Sequence, residues 1–187
     1  MLLTEIQKKL KAGRSEIFAE QMKRVAPGAT KIYGIKMPVL NELSKICKQG
    51  GFNFVEELWN SGAYEEKILA AKTIRLLAKQ DPERAISLVK KFSSEIDNWA
   101  VCDTLGMQSL KSINKIRSKE IFLLAEELSV SDFMWRRRLS LVLVEDFCKQ
   151  NEFHPAILKL IEKQRSDKEY YIKKAVVWLD ASLNKCK

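Results

Sequence analysis

Helical periodicity runs through almost every segment of this chain, and it limits the possible folds more than any other feature. Apolar residues recur at three- and four-residue spacing, whereas the alternation typical of strands is nowhere sustained. Breaks rich in glycine and proline, such as Ala26-Pro27-Gly28-Ala29, separate the segments. The pattern predicts helices over 3–12, 15–25, 38–48, 64–79, 98–110, 115–128, 132–149, 155–164 and 169–183, a short helix capped by Asn53 and another that begins at Asp81-Pro82-Glu83. The sequence therefore predicts an all-α fold.

The predicted helices come in pairs that follow one another at roughly 35 to 40 residues, which is the spacing of HEAT and armadillo units. Sequence identity between the pairs is weak, so the repeat assignment depends on the helix rhythm alone. We predict an α-α superhelix of antiparallel helix pairs, in which one helix of each pair lines a concave, basic face. A compact helix bundle is the alternative. Nothing marks a linker, so residues 1–187 are predicted to form one domain.

The charge balance indicates an anionic partner. Lysine and arginine number 33 against 24 acidic residues, a formal net charge of +9. Nucleic acid is the first candidate and a membrane surface the second, and a merely solvated basic surface is the alternative. The N-terminus lacks the features of a signal peptide and no apolar run reaches membrane-spanning length, so we expect a cytoplasmic protein.

Cysteine and histidine usage excludes most conventional enzyme sites. The cysteines Cys47, Cys102, Cys148 and Cys186 are scattered without a C-x-x-C pair, so we expect reduced and mostly buried thiols. The single histidine, His154, precedes Pro155 at a predicted helix start and is interpreted as a loop or capping residue. We therefore expect neither a metal nor an organic cofactor, and any chemistry must depend on carboxylates, aromatic rings and cations.

A first tract places an acid beside a large aromatic residue. Trp99 and Asp103 are four residues apart and share one helix face, which Gly106 and Leu110 continue. A carboxylate there is costly unless it is paired or lies in a groove open to solvent. Two interpretations stay open at this point: a functional acid in a groove, or a structural ion pair with a lysine or arginine of a neighbouring helix.

A second tract brings three arginines to a helix start. Asp132 is predicted to cap this helix, so Arg136, Arg137 and Arg138 lie near its positive end, an arrangement that favours an anionic partner. Successive side chains point about 100° apart, so the three arginines serve different surfaces. One of them is placed to reach a phosphate or Asp103.

A third tract near the C-terminus combines a core line with an adjacent polar and aromatic line. The core line is Ile172, Val176, Leu179 and Leu183, and the adjacent line is Tyr171, Lys174, Ala175 and Trp178. This pattern predicts Trp178 at a groove edge, with an ordinary core position as the alternative.

Taken together, these tracts resemble a known family. Tyr33-Gly34-Ile35 followed by Pro38, then Trp99-x-x-x-Asp103, Trp135-x-Arg137-Arg138 and Lys174-Ala175-x-x-Trp178, is similar to the DNA alkylation repair (AlkD-like) glycosylases, which have HEAT-like repeats. The similarity covers almost the whole chain in the family's order. It implies hydrolytic excision of positively charged N3- or N7-alkylated purines from duplex DNA, without a cofactor, by a monomer associated with the nucleoid.

The resemblance also implies roles for individual residues. Asp103 would be the catalytic carboxylate, stabilising positive charge on the sugar as the base leaves. Trp99 and Trp178 would hold the cationic nucleotide, at about 0.5–2 kcal/mol each, and Tyr33 would be a further nucleotide contact. Arg138 would be the cation beside the two tryptophans, close to the DNA backbone, and Arg137 and Lys174 would be further contacts to the backbone.

One departure from the family pattern lies at the C-terminus. Relatives continue past the last tryptophan with further helices, whereas this sequence reads Trp178-Leu179-Asp180 and ends at Lys187. We therefore expect a weaker enzyme than its relatives. Two other functions stay open from the sequence: a non-catalytic binder of distorted DNA, and a HEAT-like scaffold for an acidic protein partner.

Overall fold

The computed structural model describes residues 2–29 and 31–185, and all the regular elements in those ranges are helical. The α-helices are α1 (Leu3–Ala12), α2 (Glu16–Val25), α3 (Met37–Cys47), α4 (Gly51–Asn60), α5 (Tyr64–Leu77), α6 (Pro82–Phe92), α7 (Trp99–Gln108), α8 (Ser118–Leu128), α9 (Met134–Val142), α10 (His154–Gln164) and α11 (Tyr170–Lys185). Short 3-10 segments cover Lys48–Gly50, Ser93–Glu95, Lys111–Ile113, Glu145–Lys149 and Asn151–Phe153. The all-α prediction is confirmed.

The helices pack in two layers. Helices α3, α5, α7, α9 and α11 lie side by side in chain order and form what we call the inner layer. Helices α4, α8 and α10 each pack on the inner-layer helix that follows them, and α6, α8 and α10 contact one another in succession. This arrangement is that of an α-α superhelix, as the helix rhythm predicts.

Capping side chains and prolines set the helix starts. Ser15 Oγ accepts a hydrogen bond from the Phe18 amide, Asp81 Oδ1 from the Arg84 amide and Asn98 Oδ1 from the Val101 amide. The first turns of α3, α6 and α10 hold Pro38, Pro82 and Pro155, where a missing N–H costs nothing.

Two predicted caps are wrong. Helix α4 begins at Gly51, two residues before Asn53, because Gly51 adopts a φ of +65° that lets the chain pass directly from one helix to the next. Helix α9 begins after Phe133, and the Asp132 side chain forms no cap. Instead, the Asp132 carbonyl accepts a hydrogen bond from Arg137 Nη1.

The single helix predicted over 132–149 is also wrong in its second half. Helix α9 ends at Val142, and Glu145–Lys149 form a 3-10 segment. That segment turns Phe147 into a cluster of three rings, with centroids 5.1 Å from Phe122 and 4.9 Å from Phe153. Tertiary packing of one aromatic side chain thus overrides the local helical pattern.

The interior joins both layers into one apolar core, from Ile6 in α1 to Leu183 in α11. Cys47, Cys102 and Cys148 are buried in it, as the sequence predicts, and Cys186 lies outside the described residues. Within residues 2–29 and 31–185, no helix combines the length and the apolar character needed to cross a membrane.

Candidate functional site

Three consecutive inner-layer helices present their side chains to one cleft of about 810 Å³. Helix α7 contributes Trp99 and Asp103, and α9 contributes Arg138. The rest of the lining comes from α11 and the end of α2: Val25, Tyr170, Tyr171, Lys173, Lys174, Val177, Trp178 and Ala181. Most residues that the sequence singles out for function therefore meet in one place.

Asp103 and Arg138 form a bidentate ion pair in this cleft. Arg138 Nε donates to Asp103 Oδ1 and Nη2 donates to Oδ2, both at 2.9 Å. Arg138 Nη1 donates to the Tyr171 carbonyl at 2.6 Å, which ties α9 to α11. Of the five N–H groups of the guanidinium, one on Nη1 and one on Nη2 have no partner among the described residues.

The ion pair is largely buried, and this burial affects the pKa of its carboxyl group. The Arg138 and Asp103 side chains are 9% and 21% exposed. Burial raises the pKa of the Asp103 carboxyl, and the hydrogen bonds and positive charge of Arg138 oppose that rise. Asp103 is thus paired with an arginine of a neighbouring helix and also lines the cleft.

The Trp99 indole is fixed by a contact from a distant part of the chain. Its Nε1 donates to the carbonyl of Val25, the last residue of α2, at 2.6 Å. The loop after α2 approaches closely: a Cβ on Gly28 would clash with the Asp97 carbonyl, just before α7. The end of α2 and the loop after it therefore hold one wall of the cleft in place.

Helix α11 forms the opposite wall. Trp178 is half-buried at the cleft, so its predicted place at a groove edge is confirmed. Lys174 lies over the Tyr170 ring, with Nζ 5.0 Å from the centroid. Tyr170 and Val177 are exposed, which gives this wall an open apolar and aromatic surface.

Two predicted site residues lie outside the cleft lining. Arg137 donates from Nε to Asp167 Oδ2 at 2.7 Å and from Nη1 to the carbonyls of Ser131 and Asp132. Tyr33 lines a second cavity of about 670 Å³, together with the cationic side chains of Lys11, Arg14, Lys23 and Lys31. The Tyr33 hydroxyl donates to Glu66 Oε1 at 2.7 Å, and burial together with Glu66 raises its pKa.

The Tyr33-Gly34-Ile35 motif has a structural role, which is to bind the Glu65 carboxylate through its backbone. Its three successive backbone N–H groups all donate to the carboxylate of Glu65, a fully buried residue in the first turn of α5. Gly34 adopts a φ of +79°, and a Cβ there would clash with the Ser15 carbonyl and lie 2.7 Å from the Ala19 nitrogen. Glycine is required at this position because the backbone approaches another helix closely.

Sequence reasoning missed several contributors to the site. Val25, Tyr170 and Lys173 line the cleft, and Glu65 anchors the motif that precedes α3. The only available signal for Glu65 was an acid in the first turn of a helix, which is common and does not single it out. In the described part of the chain, no cluster of three or more histidine, cysteine, aspartate or glutamate side chains is arranged to hold a metal ion.

Comparison with known protein families gives a match over most of the chain. The model of the DNA alkylation repair enzyme family matches residues 6–183, a range that includes the whole cleft lining. No curated protein matches the chain.

Proposed function

Because this chain belongs to the DNA alkylation repair enzyme family, we propose that it is a DNA glycosylase that hydrolyses the N-glycosidic bond of positively charged N3- or N7-alkylated purines in duplex DNA. One observation carries the proposal: the Asp103–Arg138 pair lies in a single cleft together with Trp99 and Trp178. The cleft thus combines an anion for a cationic sugar, a cation for the DNA backbone and electron-rich rings for a cationic base.

Asp103 has the chemistry that cleavage of the N-glycosidic bond needs. As the bond between C1′ and the purine nitrogen breaks, its electron pair leaves with the base, and positive charge develops on the sugar. The departing purine carried a positive charge and becomes neutral, so it needs no proton from a general acid. A carboxylate held in place before the reaction stabilises the charged sugar and accepts a hydrogen bond from the water whose oxygen bonds to C1′. The proton that this water loses passes through the carboxylate to the solvent.

In this proposal, Arg138 contacts both the Asp103 carboxylate and the DNA backbone. The edge of its guanidinium that carries Nε and Nη2 donates to both oxygens of Asp103, which fixes the orientation of the carboxylate. The two N–H groups that remain belong to Nη1 and Nη2, and a guanidinium presents such a pair to a phosphate in a fork geometry. Arg138 can therefore contact a backbone phosphate without releasing Asp103.

The aromatic walls favour charged lesions over neutral bases. A cationic ring near the face of Trp99 or Trp178 gains about 0.5–2 kcal/mol of cation–π attraction, which a neutral base lacks. Lys174, beside Tyr170, is proposed to contact the DNA backbone at the same wall. The DNA contacts of Arg137 and Tyr33 stay predictions, because Arg137 is hydrogen-bonded to Asp167 and Tyr33 lies in the other cavity.

The decisive test is release of free 7-methylguanine or 3-methyladenine from methylated duplex DNA. We expect release of both cationic bases and none of uracil from a uracil-containing duplex of the same sequence. A protein that binds the methylated duplex and releases no base would instead be a non-catalytic binder of damaged DNA.

A further inference from the structure

Lys72 is an unusual buried cation. It lies on α5, and its residue is only 6% exposed. The other two buried cations of the described residues each contact a carboxylate: Lys67 pairs with Asp97, and Arg138 pairs with Asp103. Lys72 Nζ instead donates to two neutral amide oxygens, Asn41 Oδ1 at 2.7 Å and Gln108 Oε1 at 2.9 Å, and no carboxylate of residues 2–29 or 31–185 is within ion-pair distance.

The neighbourhood makes this charge more costly. Burial lowers the pKa of Lys72, and the nearby positive charge of Arg75 lowers it further. Buried charges in proteins are normally paired, because an uncompensated charge is expensive to remove from water. Lys72 thus keeps a costly buried charge that is met only by neutral amide oxygens.

The two amide oxygens that contact Lys72 leave several hydrogen-bond donors around it without partners. A lysine ammonium only donates, so each amide must turn its oxygen toward it, which leaves both amide NH₂ groups directed elsewhere. Neither NH₂ group has a partner among the described residues. Asn41 is exposed and Gln108 half-buried, so the ammonium lies just beneath the surface. The third ammonium proton and the two amide NH₂ groups are therefore donors available to an oxyanion.

The position of this site relates it to the cleft. Asn41, Lys72 and Gln108 lie on α3, α5 and α7, which are adjacent in the inner layer. Gln108 follows Asp103 by five residues on the same helix, a rise of about 7.5 Å along its axis and a turn of about 140° around it. That rise is similar to about two base steps of a duplex, at about 3.4 Å each.

We propose that Lys72, with Asn41 and Gln108, forms a binding site for a backbone phosphate of duplex DNA, beside the cleft and separate from the Arg138 contact. The inference rests on the proposed function only in taking DNA as the ligand. The site holds the duplex in register so that the nucleotide at Asp103 is presented correctly. It requires a phosphodiester and no damaged base.

The test compares Lys72→Met with Lys79→Met, using an undamaged duplex. Lys79 is exposed just after α5, so its variant loses the same charge without the amide partners. We expect Lys72→Met to weaken binding roughly tenfold or more and to reduce the slope of log affinity against log salt by about one. Lys79→Met should change affinity less than threefold. Equal effects of the two variants would overturn the proposal.

Protein stability separates a phosphate site from a structural role. If Lys72 awaits an anion, methionine removes an uncompensated buried charge, and the melting temperature of the free protein should stay the same or rise. A large fall would indicate that Lys72 is a structural bridge between helices and would count against the proposal.

A measurement on the unaltered protein makes the test independent of the variant's folding. The ¹⁵N resonance of the Lys72 ammonium should shift when undamaged duplex is added, and to a smaller extent with inorganic phosphate at the same phosphate concentration. No shift with duplex, or a shift with inorganic phosphate alone, would overturn the proposal. Neither outcome depends on base release, so failure of the proposed enzyme activity would be distinguishable.

Discussion

The indole nitrogen of Trp99 donates a 2.6 Å hydrogen bond to the backbone carbonyl of Val25, which lies 74 residues earlier in the chain. Both residues also line the Asp103 cleft. The contact fixes the ring orientation at the N-terminal end of α7, so the first two helices help to shape a site whose polar groups come from α7 and α9.

Trp99→Phe tests this contact, because phenylalanine keeps an aromatic face and loses the N–H donor. We expect base release to fall by about five- to tenfold, the equivalent of one hydrogen bond, with little change in folding. Trp178→Phe is the matched control, since no partner of its indole N–H is found among the described residues, and its effect should be smaller. Equal effects would show that the Val25 contact does not matter for activity.

Asp103→Asn tests the proposed catalytic carboxylate. Asparagine keeps the shape and loses the charge, so base release should fall by about 10²-fold or more, while DNA affinity stays equal or rises. The measurement is single-turnover release of 7-methylguanine from methylated duplex. Asp180→Asn is the control, because Asp180 also pairs with an arginine, Arg165, and lies outside the cleft lining. Unimpaired release by Asp103→Asn would mean that another carboxylate acts.

The pH dependence of base release should report the Asp103–Arg138 pair. The ionised carboxylate is the active form, and burial raises its pKa above the ordinary 3.8, so activity should fall as the pH drops through that raised value. Arg138→Met removes the group that opposes the rise, so the acid limb of the profile should move to higher pH. A limb that stays in place would show that Arg138 does not control this titration.

The same variant makes a linked prediction for stability. A carboxyl whose pKa is higher in the folded than in the unfolded state stabilises the fold below its unfolded pKa, and this contribution is lost as the pH rises through the folded pKa. The loss of stability that Arg138→Met causes should therefore be smaller at acid pH than at neutral pH. Thermal unfolding of both proteins across pH measures this difference. A difference between the two proteins that is constant with pH would contradict this.

The sequence was sufficient for features that depend on local spacing. Trp99 and Asp103 share a face because they are four residues apart. The helix starts predicted at Ser15, Asp81 and Asn98 are found because each of these side chains accepts a hydrogen bond from a free amide of the first turn. The boundary of α9 could not be obtained in this way, because it is set by the packing of Phe147 against rings from other helices.

Contacts between distant segments were only partly predictable. The arginine tract identified a cation able to reach Asp103, but geometry alone could not choose Arg138 over its neighbours, and only the family resemblance singled it out. The burial of Lys72 between Asn41 and Gln108 left no signal, since a lysine in an amphipathic helix is normally on the exposed face. A buried charge that lacks a carboxylate partner is visible only once the layers are assembled.

Gly34→Ala tests whether the Tyr33-Gly34-Ile35 motif is a structural anchor. Alanine at a φ of +79° costs about 1–2 kcal/mol from conformation alone, and here its Cβ would also meet the backbone of Ser15 and Ala19, which cannot move without displacing α2. The Glu65 carboxylate would then lose hydrogen bonds in a fully buried position. Gly62→Ala is the matched control, because Gly62 has a φ of +75° with open space around its Cβ. We expect the free energy of unfolding, measured by urea denaturation, to fall by about 1–2 kcal/mol in the control and by clearly more in Gly34→Ala, whereas equal losses would mean that the close approach to α2 is not needed for stability.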